Sequence, residues 1–256
     1  MTEFIDADLQ GARFERVRLN AAAFQSVDLT DAQFRSVDLS RVVMRGVDLI
    51  DVAIHGEIEN LMINGVDVVP LIEAELDRRH PDRASMRPED ADGYRAAWAT
   101  LERLWEGTIA RARRLTTEQL NQSVNGEWSF IETIRHLSYA TDCWVRRALL
   151  GDPAPWDPLD WPPDEFPDAP EFSRAIDAHP SLDTVLELRA SRTATVRDFL
   201  DGLTDELLDA DTTPVESPGW PPPKSFPVRS CLRCILNEEW MHRLYAERDF
   251  EIIEGE

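Results

Sequence analysis

Glu238 and His242 stand four residues apart in a segment where Cys231, Cys234, Ile235, Met241 and Tyr245 recur at three- and four-residue steps. On a helix of that register the carboxylate and the imidazole share one face, with Cβ atoms about 5–6 Å apart. A carboxylate on a core-facing stripe is costly unless it is paired or bound to a cation, so the spacing reads as two donors for one divalent ion. A third donor has to come from another helix. His136 is the other histidine inside a predicted bundle helix, since His55 belongs to the N-terminal repeats and His80 and His179 each precede a proline. Glu132, one turn before His136, is placed to orient its ring as an outer acceptor. Two imidazoles and a carboxylate suit zinc in a site that keeps a coordination position open, and nickel or iron accepts the same donors. The same residues also read as a buried, hydrogen-bonded Glu–His pair with His136 on the surface, and spacing alone leaves both readings open.

Four further residues are candidates for contact with a small molecule. Arg189 and Arg192 fall on or beside the inward stripe of a predicted helix, where either is placed to hold a carboxylate in bidentate fashion, or else to snorkel or pair with a local acid. Trp156, like Trp161, lies in a proline-rich connection and either lines a pocket mouth or anchors the loop. Tyr245 follows His242 on the donor-bearing stripe. Cys231 and Cys234 form a C-x-x-C inside a predicted helix, which favours two small packed residues over redox chemistry.

These side chains need rigid elements to hold them. From Pro88 the apolar period is helical, and four long helices are expected over about 89–114, 129–150, 182–203 and 229–250. With no strand pattern between them, they imply a four-helix bundle. Two connections rich in Pro and Trp interrupt it, Asp152–Pro170 with Trp156, Trp161 and Phe166, and Thr212–Pro227 with Trp220; long aromatic loops of this kind usually cover a functional mouth.

The first part of the chain has another period. Every fifth residue from Leu9 to Ile54 is large and apolar, and the position two before each is Ala or Val. Neither a helix nor a flat strand gives a period of five. Residues 4–57 resemble the pentapeptide-repeat family, and the resemblance implies a short right-handed quadrilateral β-helix of about two and a half coils at the spacing of stacked strands. So short a solenoid needs caps; Pro70 followed by the amphipathic Leu71–Arg79 reads as a capping helix, and Asp82–Pro88 as a linker. The expected division is a solenoid with its cap over 1–85 and a bundle over 86–256.

The stretch from Trp128 through Ser129, Phe130, Ile131, Glu132, Thr133, Ile134 and Arg135 to His136-Leu137, with Asn237 to Ala246 about a hundred residues later, resembles the DinB-like superfamily of metal-binding helix bundles. That superfamily usually supplies three histidines, and Glu238 in place of one of them is similar to its mycothiol-dependent maleylpyruvate isomerase branch. The resemblance covers roughly residues 88–250. It implies a bound divalent metal that lowers the pKa of a low-molecular-weight thiol, and a thiol S-transferase or isomerase activity on a small electrophile. Fold and metal do not fix reaction class, so a bundle that binds metal and serves only as scaffold is the alternative.

A net charge of -22 over 256 residues disfavours nucleic acid and anionic membranes as partners. Residues 1–57 hold -4 of that charge, too little for an acidic repeat that imitates DNA. Three cysteines make no disulfide framework, and no apolar run approaches a membrane span; these point to a cytoplasmic protein with a small-molecule substrate, with the repeat as a structural or dimerising appendage in a possible homodimer.

Overall fold

The computed structural model describes residues 2–56, 58–163 and 178–255. The chain divides into two units, Met1–His55 and Gly56–Glu256.

In the first unit the five-residue period is written into the backbone. Asp6, Gly11, Arg16, Ala21, Ser26, Asp31, Ser36, Arg41, Gly46 and Asp51 all take a left-handed conformation, with φ between 51° and 73°. The chain thus turns a corner at every fifth residue. Alternate corners are closed by backbone bonds in which Ala12, Ala22, Ala32 and Val42 donate to Leu9, Leu19, Leu29 and Leu39 at 3.0–3.2 Å. Asp8, Asp28 and Asp38 brace the same corners by accepting from the amide two residues on. The expected ladders are absent among the described residues, and Leu9, Phe14 and Phe34 are 45%, 59% and 62% exposed. Corners form locally, whereas a stacked coil needs a neighbour above and below. With about two and a half coils, most sides belong to an end.

The second unit opens on a hairpin, β1 (Met62–Ile63) and β2 (Val66–Asp67), around Asn64-Gly65 with φ of 49° and 82°, the pair that a tight hairpin turn requires. Helix α1 (Val69–Arg79) follows with Pro70 in its first turn, then a 3-10 segment over Pro81–Met86. Arg83 donates to Glu73 and Asp77 at 2.8 Å, tying the two together, while the His80 ring meets the edge of Trp240 and Arg103 pairs with Asp82. Helix α1 and its neighbour are thus fastened to the bundle by charge and aromatic contacts and belong to the second unit.

Four long helices make the bundle: α2 (Ala91–Ala112), α4 (Phe130–Thr141), α5 (Leu182–Asp201) and α7 (Val228–Gly255), with short α3 (Thr117–Leu120) and α6 (Asp205–Leu208) between them. Each start has a side-chain cap where the sequence supplies one: Asp90 accepts from Gly93, Ser129 and Glu132 form a capping box, and Ser181 accepts from Thr184. Helix α4 runs on as a π-helix over Asp142–Leu149 before Gly151 turns the chain at φ 77°. Helix α4 packs on α5 and α7, and α2 packs on the same two. Tyr94, Leu101, Ile134, Leu137, Val185, Val196 and Phe250 are almost wholly buried along these seams. Each such apolar side chain contributes roughly 1.5–3 kcal/mol. Phe166 lies outside the described residues. No described helix is long and apolar enough to cross a membrane.

Candidate metal centre

Helix α7 presents Glu238 and His242 on one face, and α4 presents His136 towards them. The Glu238 Oε2 lies 3.3 Å from His136 Nε2 and 3.1 Å from His242 Nε2, and the three donor atoms all fall within 4.8 Å of one another. His136 is buried, His242 mostly so, and the Glu238 side chain keeps 28% of its surface exposed. The most buried face of α7 instead runs through Cys231, Ile235, Glu239, Trp240, Arg243, Ala246 and Phe250. The donors therefore sit at the edge of the buried stripe, not on its centre as the sequence pattern suggests, and stay open to a ligand from outside.

The second nitrogen of His136 decides what the first can do. Its Nδ1 lies 2.9 Å from the Trp161 carbonyl oxygen, which only accepts, so Nδ1 carries the proton. Nε2 then offers a lone pair to the Glu238 carboxylate, an acceptor facing an acceptor. A cation must stand there: a second proton on the ring, or a metal ion. The donor set therefore fits a divalent ion. Burial works to raise the Glu238 pKa, but hydrogen bonds from His136 and His242 hold it well below the usual carboxylate range. A carboxyl depressed in the fold adds stability that is present above its unfolded pKa of about 4.3 and lost as pH falls through the folded value. Metal-free protein is expected to lose urea resistance progressively on acidification below about pH 4.3, and Glu238→Gln to lose less. Equal slopes in the two proteins would mean that the carboxylate is not held in this way.

Trp128 walls the site. Its ring lies 4.5 Å from the His136 ring and stacks at 5.8 Å on that of His242. Tyr245 meets His242 edge-on at 5.8 Å, beside the donors as the stripe suggests. Its hydroxyl pKa is raised by burial, so it stays a proton donor.

The remaining candidates point elsewhere. Glu132 does not reach His136; its Oε2 accepts from the Ser129 amide at 2.7 Å and from the Ser129 hydroxyl at 2.8 Å, closing the helix cap. Arg189 is consumed by Glu239, with bonds of 2.9 and 2.6 Å, and Arg192 grips Asp142 at 2.7 Å. Trp156 packs under the Arg147 guanidinium and against Gly219, where a side chain would collide with the indole. Glu132, Arg189 and Arg192 are each taken up by a partner other than the donors, Ser129, Glu239 and Asp142. The group that orients His136, the Trp161 carbonyl, is main chain and carries no side-chain signature. Trp128, which the motif contains, is the wall that spacing alone does not single out.

A family model described as DinB superfamily matches residues 100–246, and one described as pentapeptide repeats matches eight copies over residues 2–41 and 28–56. Neither the search of curated proteins nor that of solved structures gives a match. The first span holds all three donors and more than half of the chain, and the chain belongs to the DinB superfamily, with pentapeptide repeats at its N-terminus.

Proposed function

We propose that His136, Glu238 and His242 hold one divalent metal, zinc by preference, and that the centre activates a low-molecular-weight thiol for transfer to a small electrophile. The observation that carries this reading is the convergence of three acceptor atoms within 4.8 Å with the proton of His136 fixed on the far nitrogen. Two imidazoles and a carboxylate leave a tetrahedral ion one open position. A bound ion supplies a thiolate at neutral pH by lowering the pKa of a coordinated thiol. The chain does the rest. The Trp161 carbonyl keeps His136 in the donor tautomer, Trp128 excludes water from one side, and the Tyr245 hydroxyl is placed beside His242 to donate to a negative charge developing on the electrophile. Glu238 in a position usually held by histidine supports a thiol-dependent branch of the superfamily, mycothiol-like in its cosubstrate. Nickel or iron would fit the same donors.

Plasma mass spectrometry of protein purified without a polyhistidine tag tests the centre. About one metal per chain is expected, reduced at least tenfold in Glu238→Ala and in His242→Ala, since each removes one of three ligands. Metal-free wild type would end this reading. Metal retention without turnover of any thiol would leave the scaffold role. For the repeats, we propose that the five-residue corners close into a quadrilateral coil, supported by the left-handed residue at every fifth position.

A further inference from the structure

The segment between Pro155 and Trp161 runs back along α4 and its π-helical continuation, fastened at each step. Arg146 Nη1 donates to the Pro155 carbonyl at 2.6 Å, Arg135 Nε donates to the Leu159 carbonyl at 2.6 Å, and His136 Nδ1 donates to the Trp161 carbonyl at 2.9 Å. The Arg135 guanidinium also covers the Trp161 ring at 4.5 Å. One fastening is chemically odd. The side chain that stands against the Asp160 carboxyl is itself a carboxyl, Asp142. Asp142 is fully buried and Asp160 is 4% exposed, with its Oδ1 buried and given no donor among the described residues. Two carboxylates cannot both be ionised there, and neither can donate without a proton.

Asp142 has cations of its own: Arg192 of α5 binds both its oxygens, and Arg146 adds a bond at 3.1 Å. The proton therefore rests with Asp160, whose other oxygen accepts from the Asp157 amide at 3.0 Å. The cluster is closed by Cys143, whose burial keeps it a neutral thiol, and by the Arg135 charge beside Asp160.

We propose that Asp160 is a positioning residue for the metal centre: the proton it shares with Asp142 clamps the 157–161 turn to the helix, and the clamped turn holds the Trp161 carbonyl on His136 Nδ1. This rests on the reading of His136, Glu238 and His242 as the ligand set. Burial, then the Asp142 charge, push the Asp160 pKa up to about 9, so the clamp persists at neutral pH and opens in alkali, as two like charges are left side by side. Asn at 160 keeps an N–H donor for Asp142 that no pH removes.

The test is nitrogen-15 NMR of histidine-labelled, metal-free full-length chain between pH 7.5 and 10.5, with His136→Gln assigning the signal, alongside competition titrations with zinc. Wild type is expected to keep His136 protonated on Nδ1 until about pH 9 and then lose that preference; Asp160→Asn should keep it throughout, and Asp160→Ala should lack it from the start and bind zinc at least tenfold more weakly. An Asp160→Ala protein with native circular dichroism and an unchanged His136 tautomer overturns the proposal. If that variant does not fold, identical pH profiles for wild type and Asp160→Asn overturn it. A tautomer that responds as expected in a chain that binds no zinc leaves the clamp standing and removes the metal.

Discussion

Arg189→Met is expected to lower the thermal midpoint of the metal-free protein by roughly 6–20 °C, because it strands the Glu239 carboxylate inside the bundle. Arg189 on α5 and Glu239 on α7 meet through two parallel bonds, their side chains are only 7% and 2% exposed, and the guanidinium lies 4.5 Å over the Trp105 ring of α2. Breaking such a buried pair from one side costs about 3–5 kcal/mol, mostly as the unpaired charge left behind. For a unit of this size each kcal/mol moves the midpoint by roughly 2–4 °C. The double variant Arg189→Met/Glu239→Leu should recover most of the loss, since apolar replacement of both partners leaves nothing unsatisfied. Calorimetry on the single and double variants checks this. A double variant as unstable as the single would mean that packing, not charge, sets the cost.

A comparable local effect is expected at Arg147, where Arg147→Met should raise hydrogen exchange in residues 212–227 by about a hundredfold while leaving the bundle helices protected. Arg147 is 1% exposed. Its guanidinium donates to the carbonyls of Pro153, Val215, Ser217 and Pro221 and to the Ser217 hydroxyl. Five N–H groups are thus spent on two loops, one on each side. Each carbonyl left dry costs about 1–3 kcal/mol, so the loops will open to water instead of keeping their present course. Arg147→Lys, with one compact ammonium, should fall between. Unchanged exchange in 212–227 for Arg147→Met would show that the prolines of that loop hold it without help.

Both residues illustrate what sequence reading reaches here. Helix spans were legible because apolar spacing and caps such as Asp90, Ser129 and Ser181 agree, and α7 ran only a turn or so beyond its expected end. Glu238 and His242 were legible as a pair because i,i+4 spacing fixes a shared face. The adjacent Glu239 was not, since one step of rotation separates a carboxylate at the rim from one at the centre of the bundle, and the sequence pattern placed the stripe one residue off. For Arg189 and Arg192 the sequence left ligand contact and pairing with an acid both open, and pairing is what the structure places: an inward arginine is visible in a sequence, whereas the acid it meets on another element is not. Asp142 and Asp160 were invisible together, because their meeting depends on a loop folding back over a π-helical segment that no local signal announces. In the repeat unit the period of five was legible in the sequence, and the backbone repeats it as a left-handed residue at every fifth position, which no single residue type marks.

The order in which the chain is made gives the separation of α4 and α7 another meaning. His136 and Glu238 are 102 residues apart, and the pairings of α2 with α7, Tyr94 with Arg229 and Arg111 with Glu254, span 135 and 143. Contacts so distant in the chain close late, because each must bear the entropy of a long loop. On a ribosome, three of the four bundle helices are therefore finished before either donor of α7 has been translated, and the nascent chain carries one donor of the three, His136. The donors converge only as the bundle closes, so premature capture of a metal by a half-made chain is suppressed by topology alone.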